Sequence, residues 1–324
     1  MFTFGKSKRV INIVIEDYVI RMVENNGKDL ASMKYLAEKV LPPDTIVNGK
    51  VVDEVTFYEF MKELVREYSM KNRQVRFYVP HELIIMREIT IPDHVLKNEW
   101  KQYITMEIGQ SIHFPFTNPV FDLYELPDKN EQKVTILAAP EEEIIKYIEI
   151  FDDIKLKPIA VDVQALGVYR YFLWEQERFQ SEKVYLFLEL NLTSANISIF
   201  HQHKVEFLRF QRLNVSPNDW HLDDVQSVRW KFTGDETFLN GEMEDQLNEI
   251  DRLMNFYRFS IHRGEKAVTD IILLGDIPEL DHVKTKLKER YELPVTPLTV
   301  KNLHDQEVSR EFIPALGLAL KGGK

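Results

Sequence analysis

The residues whose types and spacing could do chemistry in this chain are mostly acidic, and they sit in turns between apolar runs. Glu16-Asp17 separates Val10–Ile15 from Tyr18–Val23, with Arg21 in the second run. Glu189-Leu190-Asn191-Leu192-Thr193-Ser194 separates two further runs, and Leu274-Gly275-Asp276 ends another. A carboxylate at a strand end can support the shell of a metal ion. Hydroxyls donate hydrogen bonds to an anion, and Gly or Asn lets the backbone turn towards it. The composition leaves little glycine for loops of that kind. With 12 glycines in 324 residues, glycine is at roughly half its usual ~7%, and Glu16 with Asp17 would set two like charges against a phosphate.

Other candidates have plainer readings. His201-Gln202-His203 could be a metal pair, but alternate residues at a hairpin tip read as a solvated turn. His221 near Asp223 and Asp224 lacks a third ligand and reads as a polar loop, and His113 beside Phe114-Pro115-Phe116 reads as structural. Glu141–Glu143 follows Pro140 and opens a helix, where acids complement the macrodipole. No HExxH, Walker A, glycine-rich dinucleotide motif or Ser-His-Asp order is present. The absence of Cys excludes disulfides, thiolate zinc sites, iron–sulfur clusters and a Cys nucleophile. Lys plus Arg is 41 against 52 for Asp plus Glu, a net charge of −11, which argues against a nucleic-acid binder. No apolar run approaches the ~20 residues of a membrane-spanning helix, and the amino terminus lacks a signal peptide's apolar region. Lys6, Lys8 and Arg9 read as a solvated tail, with weak contact to anionic lipid as the alternative.

The elements that position these turns follow a repeated plan. The first unit is β-β-β-α-β: strands at 10–15, 18–23 and within 29–40, a helix from Asp53 to about Tyr68, and a strand at 74–79. In the helix Val55, Phe57, Phe60, Met61, Leu64 and Val65 recur at helical spacing. The segment 81–155 reads as a compact β-α-β-β-α insert, with a helix from about Val95 to Ser111 and another opened by Glu141. From Pro158 the opening pattern returns, and the hairpin Ala195–Phe200 with Val205–Leu213 follows the second acidic turn. Asn214–Gly241 is polar and turn-rich, a long helix is expected from Glu242, and Phe312–Leu320 is a final apolar segment. Two halves that each open strand–turn–strand onto a central cleft match the actin-like ATPase layout. The expected division is 1–80, the start of the first domain; 81–155, the insert; and 156–324, the rest of the first domain and the second.

Six stretches, in order, resemble the type IV pilus assembly protein PilM family, which is related to the division protein FtsA. They are Ile20-Arg21-Met22-Val23-Glu24; Leu41-Pro42 with Val47–Asp53; Val79-Pro80 with Ile85–Pro92; Glu107 with Ile112–Pro115 and Phe121-Asp122; Lys157–Gly167; and Pro314–Ala319. The resemblance implies an α/β fold of the actin-like ATPase type, a duplicated ribonuclease H-like unit, with an FtsA-type inserted subdomain. It implies a cytoplasmic protein peripheral to the inner face of the membrane, an adaptor that binds the amino-terminal tail of a membrane-anchored PilN-like protein. Other platform proteins, the assembly ATPase and further copies of the chain are secondary expected partners. The partner groove is expected between the first domain and the insert, with contributions from Arg87, Ile89, Trp100 and Tyr103.

The resemblance also identifies what has changed in the turns. The family's first phosphate loop runs Asp-Ile-Gly-Ser-Ser-Ser-Val-Lys, where this chain has Val14-Ile15-Glu16-Asp17-Tyr18-Val19. Its second runs Asp-Ile-Gly-Ala-Glu-Thr-Thr-Asn, where this chain has Glu189 through Asn196, and a Gly-Gly pair is replaced by Gly275-Asp276. Glu16, Asp17, Arg21, Glu189, Asn191, Thr193, Ser194, Gly275 and Asp276 are therefore expected to line a degenerate nucleotide pocket, with no catalytic residue, no metal ligand and no bound cofactor. The alternatives are an ATPase that binds ATP with magnesium and couples it to pilus assembly, or an FtsA-like scaffold. The FtsA family's carboxyl-terminal membrane helix has no counterpart after Leu320.

Overall fold

The computed structural model describes residues 9–26, 30–126, 132–175, 180–224, 228–300 and 308–322. The first unit contains β1 (Arg9–Ile15), β2 (Val19–Asn26), β3 (Tyr35–Val40), the short pair β4 (Ile46–Val47) and β5 (Lys50–Val51), α1 (Glu54–Glu67) and β6 (Gln74–Val79). Asp53 caps α1, its carboxylate accepting from the Thr56 N–H at 3.0 Å. The segment 81–155 holds β7 (Ile85–Ile91), α2 (Trp100–Glu107), β8 (Pro119–Leu126), β9 (Gln132–Pro140) and α3 (Glu141–Asp153). The first domain resumes with β10 (Lys157–Val163) and α4 (Gln164–Glu175). Then follow β11 (Val184–Leu190), β12 (Ser194–His201), β13 (Lys204–Arg212), the hairpin β14 (Trp220–Asp224) and β15 (Arg229–Phe232), α5 (Glu236–Asn255), β16 (Asp270–Leu274), α6 (Leu280–Arg290), β17 (Val295–Pro297) and α7 (Ile313–Ala319).

The two large sheets have one topology. The first is ordered β10-β6-β1-β2-β3 and the second β13-β12-β11-β16-β17. In each, the opening strand pairs antiparallel with its hairpin partner on one side and parallel with a later strand on the other. This is the duplicated ribonuclease H-like unit, and with the insert it makes the actin-like ATPase fold. The opening strands, β1 rich in Val and Ile and β11 in Leu, are buried along nearly their whole length, as strands covered on both faces must be.

Both β1 and β11 run towards the space between the domains, so the turns that follow them face each other. Helices α4 and α7 pack together between the sheets. A Cβ on Gly317 would lie 2.1 Å from the Gly167 carbonyl oxygen, and one on Gly167 would lie 1.7 Å from the Tyr78 hydroxyl. Only glycine permits that approach. Tyr78 donates to the Pro314 carbonyl at 2.9 Å and the Asn25 amide to that of Ala319 at 3.0 Å, tying α7 to the first sheet.

Three elements differ from their expected form. Helix α2 is shorter than Val95–Ser111, because Ile108 turns extended and Gly109 takes φ +84°. The stretch read as turn-rich holds the β14–β15 hairpin and the start of α5, six residues earlier than Glu242, where Asp235 accepts from Thr237 and Phe238. Helix α3, grouped with the insert on sequence, buries its apolar side in the first domain: Tyr147 meets Phe57 and Phe151 meets Phe77, with ring centres 5.8 and 5.2 Å apart.

Candidate functional site in the interdomain cleft

At the cleft the two acidic residues of the first turn part company. Asp17 faces the Asn48-Gly49 turn between β4 and β5, where both residues take positive φ, as a two-residue hairpin of this type requires. Its carboxylate accepts from the Asn48 and Gly49 N–H groups at 2.9 and 3.0 Å. The expectation that Asp17 points at a phosphate position is thus corrected: a local turn takes the carboxylate. Glu16 goes inward, where burial, then Glu189, Glu82 and Asp276, push its pKa well above the usual carboxylate range.

Arg21 crosses the cleft. Its guanidinium is 2.6 Å from Glu38, its register partner on β3, and 2.7 Å from Asp276 in the second domain. Burial opposes its charge, but Asp276 and Glu38 outweigh that and raise its pKa. The Tyr18 hydroxyl donates to the same Asp276 oxygen at 2.6 Å, and the Tyr18 ring meets Trp230 of β15 edge-on at 5.7 Å. Asp276 reaches this point because Gly275, at φ +120°, brings the end of β16 against Leu190, where a Cβ would lie 1.9 Å from a carbonyl oxygen. Arg310 donates to the Gly275 and Ile277 carbonyls at 3.2 and 3.1 Å. A second cation, Arg212, spans the cleft to Asp17 and Glu82, each at 3.3 Å.

The second turn is closed on itself. The Asn191 N–H donates to the Ser194 carbonyl at 2.8 Å, and Asn191, Thr193 and Ser194 are all buried. Asn191 does not take the positive φ its place in the loop would allow. Glu189 accepts from the Gln164 amide at 2.8 Å, which also lies 3.5 Å from Glu16. Burial raises Glu189 to about 7 and lowers His81, 3.8 Å away, to about 4. Burial likewise raises Glu82 to about 7. The space enclosed by Glu16, Arg21, Glu189, Asn191, Gly275, Asp276 and their neighbours is about 10 Å³, room for about one water molecule.

A family model described as type IV pilus assembly protein PilM matches residues 13–214, more than half of the chain and both hairpin turns of the cleft. The chain belongs to the PilM family. No curated protein sequence matches it significantly. Among solved structures, a PilM–PilN type IV pilus biogenesis complex is similar with a TM-score of 0.74 at 20% identity, covering 96% of this chain and 97% of that one. The ethanolamine utilization protein EutJ from Carboxydothermus hydrogenoformans follows at 0.51 and 9% identity, covering 96% and 89%. The cytoplasmic domain of EpsL, an inner-membrane component of the type II secretion system of Vibrio cholerae, stands at 0.50 and 8%, covering 96% and 94%. At these identities the likenesses establish the fold.

Of the nine residues expected around a pocket in this PilM-family chain, Glu16, Arg21, Glu189, Asn191, Gly275 and Asp276 line this small space, whereas the Asp17 carboxylate serves the Asn48-Gly49 turn and Thr193 and Ser194 are buried in their own loop. Sequence reasoning missed Tyr18, Glu38, His81, Glu82, Gln164, Arg212 and Arg310, whose roles depend on partners far along the chain. Of the four expected partner-binding residues, Arg87 is exposed on β7, its guanidinium 5.6 Å from the Phe114 ring centre, while Ile89 and Tyr103 are half-buried. Trp100 is buried in the insert's own core with Ile104 and Ile136, so it cannot form part of an open groove. The His201 tip is not simply solvated: His201 lies 3.3 Å from Glu206 and 3.0 Å from Lys266. No group of three or more His, Asp or Glu suited to a metal occurs among the described residues, and no described helix is long and apolar enough to cross a membrane.

Proposed function

We propose that this chain is an adaptor of a type IV pilus-like assembly machine, acting at the cytoplasmic face of the membrane. It binds the amino-terminal tail of a PilN-like partner, and its former nucleotide cleft is closed by its own side chains. The observation that carries the reading is the buried Arg21–Asp276 pair, which puts protein charge where a nucleotide would join the domains. Glu16, Asp17, Arg21, Glu189, Asn191, Thr193, Ser194, Gly275 and Asp276 are read as remnants of the pocket. For ATP to enter, this pair would have to break and buried acids would have to face phosphate.

The tail is assigned to the junction of the first domain and the insert. There the Tyr147 hydroxyl donates to the Gly49 carbonyl at 3.1 Å, Lys50 lies 3.3 Å from Glu143, and the Glu141 N–H donates to Asn118 at 3.1 Å. Val47, Val52, Val120 and Ile145 are exposed around these contacts, and β8 is an outer strand of the β7-β9-β8 sheet. Exposed aliphatic side chains beside a free strand edge suit an extended peptide. Arg87, Ile89 and Tyr103 extend the candidate surface across the insert.

Calorimetric titration tests both parts separately. The PilN-like tail peptide is expected to bind, and Val52→Asp with Ile145→Asp to weaken it at least about tenfold. Mg-ATP is expected to give no binding heat and no turnover. Tight ATP binding with hydrolysis overturns the closed cleft, and a peptide that does not bind overturns the adaptor role.

A further inference from the structure

The end of α5 widens into a π-helical turn, Phe256–Ile261, followed by a reversal at Arg263 (φ 52°) and Gly264 (φ 88°). Such wide turns concentrate at functional places in helices. This one is fastened on its inner side. Tyr257 is wholly buried with its hydroxyl bonded to Glu206, and His262 Nε2 lies 3.1 Å from the same carboxylate. Lys266 completes the arrangement at 2.8 Å. With both ends held to β13, the other side chains of the turn face outward.

Those outward side chains form an unusual set for this chain. Phe256, Phe259 and Ile261 are 48%, 57% and 38% exposed. Arg258 and Arg263 are exposed beside them, the Arg258 guanidinium 5.0 Å from the Phe259 ring centre. Neither arginine has an ion-pair partner among the described residues. The ten residues Asn255–Gly264 carry two Arg and no Asp or Glu, in a chain of net charge −11. The turn also lies at a defined end of the molecule. Because β1 and β11 run towards the cleft, their starts lie at the opposite end. His201, paired with Val184, and the Glu206 contacts lie there too. β1 begins at that end with Arg9.

Three apolar side chains on one turn fall well short of the roughly 800 Å² per partner of a stable protein interface. They do meet the requirements of a lipid interface, where aromatic and aliphatic groups enter the headgroup boundary and cations meet anionic lipid. We propose that the π-turn is a contact site for an anionic lipid surface. Phe256, Phe259 and Ile261 enter the boundary, and Arg258 with Arg263 pair with lipid phosphates. The proposal rests neither on the closed cleft nor on tail binding.

Sedimentation with vesicles tests it on the full chain at low ionic strength. Vesicles of phosphatidylcholine with an equal part of phosphatidylglycerol should carry the protein down, and pure phosphatidylcholine vesicles should not. Arg258→Glu with Arg263→Glu should lower the partition coefficient at least about tenfold. Phe256→Ser with Phe259→Ser should also lower it, while Arg66→Glu on α1 should leave it unchanged. Thermal melts of these surface variants check that they fold. No sedimentation with anionic vesicles overturns the proposal, as does equal loss with Arg66→Glu. Light scattering that finds a wild-type oligomer, dissociated by the Phe pair without any vesicle binding, overturns it in favour of a second copy.

Discussion

Glu189 shows how one residue couples burial to pH. Its carboxyl is enclosed, accepts one amide hydrogen bond from Gln164, and has a pKa raised to about 7 by burial. The unfolded chain ionises a glutamate near ~4.3, so between those values the folded state holds the proton more tightly. The stabilising contribution is complete below the lower value and disappears as pH rises through the upper one. Glu189→Gln stays neutral and keeps the shape of the group. The variant should therefore gain stability relative to wild type between about pH 5 and about pH 8, read by urea unfolding at both. Parallel pH profiles would show that Glu189 is solvated after all.

Among the elements, α4 and α7 illustrate what spacing in a sequence cannot reveal. Residues 164–174 read as a helix and 312–320 as an apolar segment, but nothing local says that Gly167 and Gly317 face each other at backbone distance. Gly317→Ala should cost about 1–3 kcal/mol through displacement of the two helices. Gly241 lies within α5 with open space around it, so Gly241→Ala should add up to about 1 kcal/mol. Urea midpoints of the pair give the comparison, and equal effects would contradict the close crossing. Much else at this scale was legible. The repeated hairpin openings were visible because their buried strands are apolar runs that polar turns interrupt. The β14–β15 hairpin was not, since Arg229 and Lys231 dilute its pattern. The start of α5 was signalled only by Asp235, an N-cap easily lost in a polar stretch. In the cleft, the changed loops were readable position by position. The pairing of Arg21 with Asp276 was not, because 255 residues separate the two.

At the scale of the whole molecule, the two domains are joined by a shared apolar core and by ions that cross the cleft. Removing one partner of a buried pair leaves the other charge uncompensated, a loss of about 3–5 kcal/mol. Arg21→Ala should lower the unfolding midpoint accordingly. With Arg212→Ala added, it should increase the radius of gyration in solution scattering and speed hydrogen exchange at Val14–Arg21 and Asn191–Ser194. A lowered midpoint with unchanged scattering and exchange would mean that the ions stabilise the domains without closing them. The position of α7 also bears on synthesis. The second sheet is complete at Pro297, whereas the first sheet waits for a helix made from residues 313–319. On a ribosome, the domain begun first would thus be finished last. A chain stalled before Ile313 would leave the inner faces of β1 and β2 bare, a natural target for chaperones and proteases.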